Sequence, residues 1–192
     1  MAREQKSRVP RAFWTRNPYL NTTAGGDHRA FVPRRRPAGM DAHEPPPAVE
    51  ERWQALLDDA ETTAAEYAAD GYETLVVHPG DVTPVTGEPY GLDVLAPGDE
   101  FEALEALVGR ASFDTSHVYY ADEGGTRLLV VVVEGTADDG DVAVVVPAFL
   151  AIDRTPELAR QATDEGVMYT HVRPLSDDSR VTFAHDDPSL FF

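Results

Sequence analysis

The chain of 192 residues contains no cysteine, and its single lysine is Lys6. The first absence removes disulfides, thiolate nucleophiles, iron–sulfur clusters and cysteine-ligated zinc. The second removes, from everything after Lys6, the Schiff-base amine, the Gly-Lys-Ser/Thr phosphate loop and the kinase-type phosphate lysine. Neither a Gly-x-Ser-x-Gly elbow nor a Gly-x-Gly-x-x-Gly turn occurs, so the common serine-hydrolase and dinucleotide signatures are missing as well. Long apolar runs are scarce: the longest are 128–133 and 142–152, where a membrane helix needs about 20 residues. No apolar stretch follows Arg34-Arg35-Arg36, so neither a secretory nor a twin-arginine signal is expected. These absences point to a cytoplasmic protein with no membrane partner, and they leave Asp, Glu and His as the residues available for chemistry.

Charge is abundant but of one sign. Sixteen basic residues stand against 34 acidic ones, a net of −18. Residues 1–39 hold nine Lys/Arg against Glu4 and Asp27, a net of +7, which leaves seven arginines and 32 acids for residues 40–192, a net of −25. The acids are interspersed with apolar runs such as Leu128 to Val133, which a disordered acidic segment would lack. At molar ionic strength the Debye length falls to about 3 Å, so such a body escapes most of its self-repulsion while its charge keeps it soluble. The same charge argues against a nucleic-acid partner for residues 40–192, because phosphate binding is driven by basic groups that release counterions.

Taken with the phrases Tyr169-Thr-His-Val-Arg-Pro-Leu-Ser and Phe183-Ala-His-Asp-Asp-Pro, the acid-rich, lysine-free body resembles haloarchaeal cytosolic proteins. Residues 40–192 look like one of the uncharacterised families, domains of unknown function, found in those organisms. That resemblance implies no activity, cofactor or site residue. Residues 1–39, with Arg34-Arg35-Arg36 near Phe13, Trp14 and Tyr19, read in two ways. They are a basic, disordered tail able to act as a nucleic-acid arm, or a stretch upstream of a true start at Met40.

Hydropathy patterning predicts the elements. Val49, Trp53, Leu56, Leu57, Ala60, Ala64 and Tyr67 fall on one helical face ending at Gly71. A strand over 72–78, a loop over 81–90 and a short strand at 91–95 follow. Asp99 with Glu102 suggests a capping box for a second helix, whose stripe is Phe101, Leu104, Leu107 and Val108. Three strands in hairpin succession are expected at 115–121, 126–134 and 141–150; the middle one is apolar on both faces and therefore central. Thr155-Pro156 starts a third helix ending at Gly166, two strands follow at 167–173 and 180–184, and 186–192 reads as a terminal extension. About 150 residues in this order make one α+β domain, a largely antiparallel sheet with helices packed on it. The order is profilin- or longin-like by analogy only, which carries no function.

The strongest constellation is Tyr169, His171 and Arg173, alternating onto one strand face, joined across an antiparallel turn by His185 and Asp187. Two imidazoles and a carboxylate can bind a metal ion or a small ligand, although no motif names a cofactor and no metal is assigned. His78 with Asp81, and Asp114 with His117, are lesser pairs. Two functions follow. One is a non-catalytic module that binds a protein partner or forms a homo-oligomer. The other is a metal-assisted hydrolase or small-ligand binder built on the His/Asp cluster.

Overall fold

A computed structural model describes residues 47–176 and 179–192; the basic segment 1–39 and the boundary at Met40 lie outside the described residues. Helix α1 (Pro47–Ala69) forms where apolar residues recur at helical spacing. Leu56, Ala60 and Ala64 are buried along one stripe, with Trp53 and Tyr67 packed beside them. The helix stops in a Schellman-type closure: the Tyr72 N–H donates to the Tyr67 carbonyl at 3.1 Å, and Gly71 takes a φ of 96°.

Then come β1 (Glu73–Val76), β2 (Asp81–Val85), β3 (Gly91–Leu95), α2 (Gly98–Val108), β4 (Ala111–Glu123), β5 (Thr126–Ala137) and β6 (Gly140–Ala151). Helix α3 (Pro156–Glu165), β7 (Met168–Arg173) and β8 (Val181–His185) complete the fold, with 3-10 turns at Ile152–Arg154 and Pro188–Leu190. The class is the expected single α+β domain, and four of the six strand pairings among the described residues are antiparallel. The strands divide between two mixed sheets: sheet A in the order β1-β6-β5-β4 and sheet B in the order β2-β3-β7-β8. The parallel pairs, β1–β6 and β3–β7, join strands distant in sequence, as parallel pairing requires.

β5 explains the layering. Leu128, Val130 and Val132 face α1 together with Ala143 and Val145 of β6. Leu129, Val131 and Val133 face the other way, into a core shared with Leu92, Val94, Val172 and Phe183 of sheet B, Phe101 and Leu104 of α2, and Leu158 of α3. The order through the molecule is therefore helix, sheet, sheet, with α2 and α3 contributing to the inter-sheet core.

Several local expectations are corrected. Residues 81–85 form a strand despite Pro84, because β2 is an outermost strand, where proline is tolerated. The Asp99/Glu102 capping box does not form: α2 starts at Gly98 after Pro97, with no side-chain cap, and Asp99 lies inside its first turn. Thr155 and Pro156 take the expected N-cap and first positions of α3, but the Thr155 hydroxyl donates back to the Ile152 carbonyl at 3.0 Å and caps no N–H of the helix. The last residues are no extension, since Phe191 is buried in the inter-sheet core.

Close packing of β3 on β7 rests on Gly91, at φ 137°, where a Cβ would sit 2.3 Å from the Tyr169 carbonyl oxygen. Gly91→Ala is therefore expected to lower stability by roughly 2 kcal/mol or more in denaturant titrations at high salt. An unchanged midpoint would contradict this register.

Candidate functional site

The β7–β8 pairing decides the fate of the expected constellation. His171 lies opposite Thr182, Tyr169 opposite Ala184, and His185 opposite Met168. Side chains alternate between faces, so Tyr169, His171 and Arg173 occupy the outer face of sheet B, whereas His185 shares the inner face with Met168 and Thr170. The structure therefore does not bring His171 and His185 together. The signal was present in the strand itself, because Val181, Phe183 and His185 alternate as a buried set.

His171 is 4% exposed. Its Nε2–H donates to the Tyr90 carbonyl at 2.9 Å, which leaves Nδ1 to accept from the Thr182 hydroxyl at 2.9 Å. Tyr169 stacks on the imidazole at 5.8 Å, and Tyr90 meets Tyr169 edge-on at 5.2 Å. The segment carrying Tyr90 is tied down where Gln161 both accepts from the Gly87 N–H and donates to the Gly87 carbonyl, each at 3.0 Å. Arg173 grips Asp93 of β3, with Nε 2.9 Å and Nη2 2.9 Å from Oδ2.

On the inner face, His185 bridges the two sheets: Nε2 lies 2.9 Å from the Thr170 hydroxyl and Nδ1 lies 2.7 Å from the hydroxyl of Ser116 in β4. Phe191 closes over the ring at 4.9 Å. Burial among neutral partners holds its pKa down at about 4. Asp187 is elsewhere engaged, accepting from the Ser189 N–H at 3.1 Å and hydroxyl at 2.6 Å to start the last turn.

The lesser pairs also regroup. The two ring nitrogens of His78 lie 2.8 Å from Glu100 and 3.0 Å from Glu61, joining α1 to α2, while Asp81 accepts from Thr83. His117 meets Glu134 at 3.1 Å, and the Tyr67 hydroxyl donates to the same carboxylate oxygen at 2.7 Å. Burial, then this hydrogen bond, pushes the Tyr67 pKa up and keeps it a donor. Sequence reading missed this group because α1 and β5 meet only in the fold. Among the described residues, no three His, Asp or Glu side chains are gathered to hold a metal ion.

Exposed large apolar side chains gather at one end of sheet A, among them Phe149 and Ile152. Two cavities flank sheet A near the Gly124–Gly125 turn, on opposite faces, as the consecutive residues Phe149 and Leu150 require. One, of about 150 Å³, is lined by Arg52, Trp53, Glu123, Thr126, Leu128 and Phe149. The other, of about 210 Å³, lies between Leu150, Ile152, Pro156, Phe191 and Phe192, with Arg127 among its lining residues. Phe149 is 42% exposed and Ile152 41%.

A family model described as a family of unknown function, DUF7529, matches residues 38–192, and the chain belongs to that family. No curated protein and no solved structure matches it. No described helix is long and apolar enough to cross a membrane.

His185 makes stability depend on acid. Its folded pKa of about 4 lies below the unperturbed 6.5, so below pH 6.5 the unfolded chain takes up the proton first. Stability present at neutral pH is then lost as pH falls toward 4, by about 3 kcal/mol. Denaturant titrations of wild type and His185→Gln at several pH values should show this loss in the wild type alone. Parallel pH profiles would contradict it.

Proposed function

We propose that this chain is a non-catalytic protein-interaction module of a haloarchaeal cytoplasm, built to work in concentrated electrolyte. The observation that carries the reading is the apolar end of sheet A, where Phe149 and Ile152 stand exposed beside two cavities. A surface with exposed large apolar side chains rimmed by polar residues is a docking surface for another protein. Arg52 reaches Glu123 at 3.0 Å and Arg127 reaches Asp122 at 2.6 Å, so the polar rim is already charge-paired.

Two further observations support it. His171 and His185 have both ring nitrogens engaged within the fold, which leaves neither free to move a proton on a substrate. The net charge of −25 on residues 40–192 favours protein over nucleic acid as the partner and suits molar salt, where repulsion is screened. The metal-assisted alternative needed His171, His185 and Asp187 in one place, and it loses that geometry.

The test is co-purification from native cells in molar KCl, with the full wild-type chain and with Phe149→Glu/Ile152→Glu. Seating carboxylates against an apolar partner is costly, and retention of bound protein should drop by about tenfold or more in the variant. An identical retained set for both chains, or none for either, overturns the reading.

A further inference from the structure

We infer that two copies of this chain pair through the outer edge of β4, antiparallel about a two-fold axis, so that their A sheets join into one. This goes beyond the module reading, because the contact is made by the backbone edge of β4, which adjoins the Phe149 and Ile152 end only at Glu123.

Among the described residues the two sheets have four edges, and three of them are blunted. β1 has four residues, β8 has five, and β2 has five and carries Pro84. Shortness and proline are the usual means by which sheets avoid pairing with other chains. β4 has neither: it runs for 13 residues, contains no proline or lysine, and none of its residues is buried. Beyond a register shift between Phe113 and Thr115 it pairs with β5 without interruption from Thr115 to Glu123. α1 packs over β1, β6 and β5.

The hydrogen-bonding capacity of this edge follows from the turn. Glu123 and Thr126 pair across the two-residue connection Gly124–Gly125, whose φ values are 57° and 84°. Residues flanking such a turn exchange both bonds, so Glu123, Ala121, Tyr119 and His117 bond to β5. Asp122, Tyr120, Val118 and Ser116 turn their N–H and C=O groups outward. An antiparallel copy satisfies these groups symmetrically, the isologous contact that closes a dimer.

Charge selects a second copy over a foreign basic strand. On a body this acidic, two of the three acids of β4 are paired with arginines of this same chain. Arg127 takes Asp122 at 2.6 and 2.7 Å, Arg52 takes Glu123 at 3.0 Å, and the Thr115 hydroxyl donates to Asp114 at 2.9 Å. Arg110, just before the strand, pairs with Glu73 and Asp139. Two of the seven arginines after Met40 thus pair with acids of this edge. Pairing Asp122 and Glu123 with arginines weakens the attraction a basic strand would need and lessens the local repulsion between copies, and molar salt screens the remainder.

Sedimentation of the full chain over a concentration series in molar KCl tests the pairing. Val118→Pro deletes an outward N–H without touching a bond to β5, and Val118→Thr keeps both the N–H and the branched shape. Tyr120→Pro, at a position 48% exposed, serves if Val118→Pro unfolds by circular dichroism. Wild type and Val118→Thr should dimerise alike. The proline variants should associate about tenfold more weakly or less, since symmetry removes two hydrogen bonds at once. A wild type monomeric at every concentration, or a dimer indifferent to folded proline variants, overturns the inference. Loss of the dimer in Phe149→Glu/Ile152→Glu alone moves the contact to the apolar end, which sinks the edge pairing and spares the module reading.

Discussion

The structure depends on covering two strands from both sides. Val130 and Val132 of β5 point one way and Val131 and Val133 the other, and β6 repeats the pattern with Val145 between Val144 and Val146, all of them buried. A strand apolar on both faces cannot lie at a surface, so each face needs its own layer. α1 supplies one. The other face is broader than a single helix, and sheet B covers it together with side chains of α2 and α3. Placing β5 and β6 inside leaves β1 and β4 as the margins of sheet A.

The two sheets are also joined by polar contact. His185 reaches Thr170 within sheet B and Ser116 in sheet A, and no buried side-chain nitrogen or oxygen among the described residues lacks a partner. A buried, fully bonded imidazole fixes how the sheets face one another, because any slip leaves polar atoms unpaired in the core. His171 does comparable work outside, tying β7 to β8 through Thr182 and to the chain ahead of β3 through Tyr90. In each case the ring is spent on architecture.

Much of the fold was legible because it follows from local periodicity. The stripe of α1, the two-faced β5 and the stop at Gly166, whose φ is 73°, follow from side-chain size and backbone freedom alone. What was not legible depends on partners distant in the chain. Proline suggested a loop at 81–85 because a strand's edge position is not visible locally. Phe191 looked terminal, but its place in the core is created by β8 and α3. Pairing register divides the expected constellation: Tyr169, His171 and Arg173 face outward while His185 faces inward opposite Met168, a division that the alternation of Val181, Phe183 and His185 already foreshadows.

If β5 and β6 are the spine that the other layers cover, they should be the last part of the molecule to open. Residue-resolved amide hydrogen exchange under native conditions measures this directly. The account predicts that Leu128 to Val133 and Val142 to Val146 exchange only through global unfolding, with α1 and sheet B opening at lower cost. Slower exchange in α1 or in β7–β8 than in these two strands would contradict it.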